Sequence, residues 1–232
     1  MMEQKTDVKF GTWIEGAFTI YKENFVVLCV AALLVVLLSI LSVGILYGPM
    51  VVGLNLMVLR FVDGSEDEPK IGDVFRGFNY FVPAFVFVLV WGLIFYVVMF
   101  ILSFVPCAGE VINLILSVVV PACLMFALFL IPDQKLDFWT ASVKSFEMVK
   151  SNPLPFIGLS VLAGILGSVG AVLCGVGVAL SLPLYALIVG QAYRDVFGTS
   201  SAAEVAGPES STASTPSSKD AHDDDTQEPA GR

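Results

Sequence analysis

Four stretches of this chain, Phe25–Gly44, Phe81–Val105, Val111–Ile131 and Leu154–Leu173, contain no charged residue. Each exceeds the ~18 apolar residues that suffice for a helix to cross a bilayer. Two shorter stretches, Ile45–Leu59 and Val176–Tyr193, are equally free of charge. Apolar residues make up 56% of the chain and charged ones 14%, against about 45–50% and ~25% in soluble domains. These run lengths argue against a soluble bundle and predict an all-α polytopic membrane protein with six transmembrane helices arranged as three hairpins. The first 24 residues carry charges of both signs and no apolar core, so the first span is expected to serve as an uncleaved anchor.

The charges orient the spans. The 12 Lys and Arg residues fall in four places: the N-terminus (Lys5, Lys9, Lys22), Arg60–Arg76, Lys135–Lys150, and the end from Arg194 onward. With six spans, all four lie on one side. The loops near Val43, Ala108 and Gly175 carry no basic residue, and Glu110 is their only charge. Short basic loops are retained in the cytoplasm, so both termini are expected there, in a cell membrane. Residues 199–232 hold acids in excess and are rich in Ser, Thr, Ala and Pro, which predicts a disordered cytoplasmic tail. The expected organisation is therefore an extension over 1–8, a membrane domain over 9–198 in units 9–64, 65–132 and 133–198, and that tail.

A phrase recurs. "AFTIYKENF" at Ala17–Phe25 returns as "SFEMVKSNP" at Ser145–Pro153, 128 positions later. Each copy leads into an apolar span and then a second, proline-containing one, closing on the frame Pro49…Arg60…Gly64 and Pro183…Arg194…Gly198. The order of these matches predicts an internal repeat of the first and last units. Before each hairpin the period is amphipathic: Phe10, Trp13, Ile14, Ala17, Ile20 and Tyr21, then Leu136, Trp139, Val143, Phe146 and Val149. Ile71, Val74, Phe75 and Phe78 form a third such segment by period alone. These predict cytoplasmic interfacial helices, with Trp13 and Trp139 at the headgroup level, Lys22 and Lys150 reaching phosphates, and Asn24 and Asn152 capping the incoming spans.

Catalytic chemistry finds no support in the sequence. His222 is the only histidine and stands in "AHDDD", where a solvated acidic run is the expected state. HExxH, CxxC, GxSxG and P-loop spacings do not occur, so no enzyme activity, metal or cofactor is expected. The scattered basic residues do not suit nucleic acid. No span holds an ionisable Asp, Glu, Lys, Arg or His, which counts against a proton- or cation-coupled pump. Asn55, Asn113 and Gln191 are the strongest polar groups in spans.

One feature points to a pocket. The two short spans occupy matching places in the repeat and both contain proline, a pattern that marks transporter binding sites. "GPMVVGLN" would then face "LPLYALIVGQ", making Gly48, Pro49, Gly53, Asn55, Pro183, Gly190 and Gln191 a candidate pocket or hinge. Helix kinks made for packing are the competing explanation. Ser160, Gly164, Gly167, Ala171 and Gly175 form a small-residue stripe suited to close packing within the chain or between two chains. Cys107 and Cys174 both fall at non-cytoplasmic span ends and are candidates for a disulfide if that compartment is oxidising; Cys29 and Cys123 lie within spans.

The blocks "WIEGAFTIYKENF", "GPMVVGLNLMVLR", "GDVFRGFNYF", "FWTASVKSFEMVKSN" and "LPLYALIVGQAYRDVFG" occur in this order across Lys9–Gly198. In them the chain resembles the broad bacterial integral membrane family that includes the YciC-type proteins. It is also similar to the membrane domain found ahead of some glycerophosphodiester phosphodiesterases. The resemblance implies a six-span inner or plasma membrane protein of generally unassigned molecular role. The soluble phosphodiesterase domain has no counterpart here, so its activity is not implied. The expected function is non-enzymatic, through contacts with membrane lipid or with another membrane protein or a second copy. The alternative is passive transport or export of an apolar or lipid-like molecule through the Pro49/Pro183 pair.

Overall fold

A computed structural model of the chain describes residues 10–65, 68–105, 108–172 and 176–198. Lys5, Lys9, Cys107, Cys174, Gly175 and the acidic tail with His222 lie outside the described residues. Among those described every regular element is helical, in the order α1 (Phe10–Glu23), α2 (Phe25–Leu41), α3 (Tyr47–Val62), a 3-10 helix (Ile71–Tyr80), α4 (Phe81–Leu102), α5 (Ala108–Leu124), α6 (Ala127–Asp133), α7 (Phe138–Ser151), α8 (Pro153–Val172), α9 (Val176–Tyr193) and a π turn (Arg194–Gly198). Among them, two continuous helical stretches, Ile71–Leu102 and Ala108–Asp133, are long and apolar enough to cross a membrane. A third is added if α1 and α2, bent by 93° at Asn24, count as one span. α3 has 16 residues, or about 24 Å of helix, short of the ~30 Å hydrocarbon core.

Local chemistry sets the breaks. α3 ends in a Schellman motif: Gly64 at φ +63° donates to the Phe61 carbonyl and Ser65 N–H to that of Arg60. Gly198, its partner in the sequence frame, sits instead in the π turn and does not adopt positive φ. Asp137 caps α7, accepting from the Thr140 hydroxyl at 2.7 Å and from its N–H. Those two bonds hold its carboxyl below the ordinary range. α1 and α7 each span 14 residues, and their starts (138 − 10) and ends (151 − 23) are both offset by 128, the offset of the recurring phrase.

The centre of the molecule is α3. Its residues are buried from Gly48 to Leu59 with few exceptions, whereas α4, the longest helix, buries only Ala84 and Phe87. Three glycines let other backbones reach α3. A Cβ on Gly53 would strike the Val74 carbonyl of the 3-10 helix, and one on Gly77 would strike the Pro49 carbonyl and Gly53 itself. A Cβ on Gly48 would come within 2.5 Å of the Ala84 carbonyl. Such contact is what holds helices together where lipid already satisfies apolar surface. At the other end, Phe126 packs edge-on to Phe156 and Phe197, while Tyr193 stacks on Phe129 and Phe197. The buried Ser145 hydroxyl bridges the α5–α6 break, donating to the Cys123 carbonyl and accepting from Phe126 N–H.

The middle amphipathic segment departs from the sequence expectation. It is a 3-10 helix, not an amphipathic α-helix, because its Val74–Gly77 face is wedged against α3 and its backbone must come closer than an α-helix with side chains allows. Gly53→Ala and Gly77→Ala are each expected to cost about 1–3 kcal/mol by overpacking. Gly72→Ala, with open space around it, serves as the unaffected control, and denaturant unfolding in detergent checks all three.

Candidate functional site

The two short helices do meet, and a cavity of about 290 Å³ lies beside their contact. Tyr47, Val51 and Asn55 line it from one face of α3 at four-residue steps. α9 contributes Leu182, Tyr185 and Ala186, and α4, α5 and α6 complete an apolar wall that includes Phe87, Leu124 and Phe129. Asn55 is 4% exposed, and among the described residues no group hydrogen-bonds its amide or the hydroxyls of Tyr47 and Tyr185. Tyr47 is 42% exposed and stands at the rim. No described lining residue is charged.

Of the residues singled out in the sequence, only Asn55 faces this cavity. Gly48, Pro49 and Gly53 instead meet α4 and the 3-10 helix. Pro49 does not break its helix: it stands in the first turn of α3, where its missing N–H forfeits no bond. Pro183 is inside α9 and buried, with its neighbours Leu182 and Tyr185 at the cavity instead of the ring. Gly190 admits the Val58 side chain of α3, and Gln191 lies against Gly16 of α1. Tyr47 and Tyr185 were missed in the sequence; their signal was a polar tip on an aromatic body inside a short apolar span.

The anchors also divide. Trp139 is 59% exposed and continues into exposed Val143 and Phe146, with Lys150 one turn on. Trp13 is 3% exposed, and its indole N–H donates to Asp195 at 3.1 Å. It is a packing residue, not a lipid anchor, and the outward stripe of α1 is Ile14 and Phe18, with the Lys22 ammonium 4.4 Å from the Phe18 ring centre. The 128-residue offset explains the difference, since it pairs Trp13 with buried Ala141 and Trp139 with Gly11. Asn24 stands at the N-cap of α2 without capping it; its side chain donates back to the Ile20 carbonyl at 3.2 Å. Asn152 is half-buried at the α7–α8 junction.

A charged clamp, unforeseen in the sequence, closes one end of the bundle. Arg194 grips both oxygens of Asp63 at 2.7 Å and those of Asp133 at 3.1 and 3.2 Å. Tyr193 adds its hydroxyl to Asp133 at 2.6 Å. One guanidinium thus ties together the ends of α3, α6 and α9. Arg60 does similar work locally, pairing at 2.6 Å with Asp73, which also meets Arg76.

No protein family, curated protein or solved structure matches this chain.

Arg194→Met is expected to lower unfolding stability by about 1–2 kcal/mol, a figure reduced from the buried-pair range because the pair is partly exposed. Arg194→Lys is expected to recover less than half of it, since a lysine cannot fork onto Asp63 while reaching Asp133. Unfolding of both variants beside Asp63→Asn, as a double-mutant cycle, measures the coupling.

Proposed function

We propose that this is a six-span protein of the cytoplasmic membrane, with both termini cytoplasmic, that acts without catalysis through contacts with inner-leaflet lipid and with proteins embedded there. Its first and last units are a repeat, each a surface helix leading into a hairpin, and kinship with the YciC-type proteins belongs to the same proposal. The observation that carries it is the 93° turn at Asn24 between amphipathic α1 and charge-free α2. A helix set square to a span lies along the membrane surface. Ile14, Phe18 and Lys22 on α1, Phe75 and Phe78 on the 3-10 helix, and Trp139, Val143, Phe146 and Lys150 on α7 then meet acyl chains and headgroup phosphates.

The cavity beside α3 and α9 supports a second reading, passive carriage of an apolar or lipid-like molecule along the interface of these helices.

Single-tryptophan variants in vesicles containing brominated lipid test the first reading. Trp139 emission is expected to be quenched and Trp13 emission left unchanged; an unquenched Trp139 would remove α7 from the surface. Topology is checked in a background lacking the native cysteines. Ser65→Cys is expected to react with impermeant maleimide from the cytoplasmic side, and Ser42→Cys from the other.

A further inference from the structure

We propose that the α3–α9 cavity is a binding site for an uncharged, single-chain lipid-like molecule whose hydroxyl, ester or carbonyl oxygen meets Asn55. The proposal rests on the second reading above and names the class of molecule carried.

Asn55 supplies the first argument. Its amide has two donors and an acceptor, keeps a little accessible surface in a residue that is 4% exposed, and finds no partner among the described residues. A buried polar group left unpaired is costly, and most in native structures are satisfied by protein, water or ligand. Here the partner has to come from the cavity. Tyr47 and Tyr185 line the same space, and the Asn55 amide and a tyrosine hydroxyl both donate and accept.

Charge supplies the second. The described lining offers three neutral polar side chains and no ion. The nearest cation along α3, Arg60, is committed to Asp73. A carboxylate, phosphate or ammonium would give up its hydration with no counter-ion to replace it. The site therefore discriminates against charged head groups and accepts neutral ones.

Size and shape supply the third. At about 290 Å³, the cavity is at the lower end of the ~300–1,000 Å³ of small-molecule sites, room for one chain and a compact head. Asn55 lies two helical turns inward from Tyr47 at the rim. The head would thus sit deep, with the chain against Val51 and Leu182 and leaving past Tyr47.

The test uses the full chain in detergent and two photoreactive probes of equal chain length, a fatty alcohol and a fatty acid, the latter at a pH where it is ionised. The alcohol is expected to label peptides containing Tyr47–Asn55 or Leu182–Ala186 about tenfold more than the acid does, and Asn55→Leu to reduce its labelling about tenfold. Tyr185→Phe, a smaller change, is expected to reduce it severalfold, and thermal melting confirms that both variants are folded. Equal labelling by alcohol and acid, or labelling indifferent to both substitutions, overturns the head-group assignment and leaves apolar carriage standing. If neither probe reaches these peptides, the cavity holds water only, and carriage through it falls with the assignment.

Discussion

The contact between Gly53 and Gly77 sets the geometry of the rest. Two backbones touch there, and neither residue tolerates a β-carbon. That closeness pins the 3-10 helix along α3 and brings Asp73 to Arg60. It also fixes where α4 starts, and Gly48 receives the Ala84 backbone further along the same flank. In a bilayer the apolar surface of a helix has no reason to leave lipid for protein, so association depends on surface shape. A helix lined with small residues on one side is what a central position requires.

Elsewhere α3 carries larger side chains, and there the packing is incomplete. Tyr47, Val51 and Asn55 line a cavity there with residues of α9, α5 and α6. The clamp at Arg194 ties the same group of helices at the end away from Tyr47, joining the ends of α3, α6 and α9. Tight glycine contacts, an open seam and an ionic tie across the end form one arrangement.

The all-helical class was legible in the sequence because it follows from local rules. Charge-free runs mark the helices, and Asn24 marks where an amphipathic segment gives way to a uniformly apolar one. The site was less legible. Asn55 stood out because amides are rare in apolar runs, but Pro49 and Pro183 misled. Proline in the first turn and proline inside a helix look alike as letters, and only the start of α3 at Tyr47 separates them. Trp13 misled for a related reason. Periodicity places it on an apolar face but does not say whether lipid or protein meets that face.

The sequence by itself determined that the chain is helical and apolar enough for a membrane, and where its charged segments interrupt the apolar runs. Only the tertiary structure decided that α3 is central and α4 peripheral, that Trp13 faces Asp195 while Trp139 faces outward, and that Arg194 joins three helix ends. The physical reason is common to all three. Hydropathy reports a preference for leaving water, and lipid and protein interior satisfy that preference equally well. Which of them a side chain meets depends on shape complementarity between segments far apart in the chain, and shape is not written in any one segment.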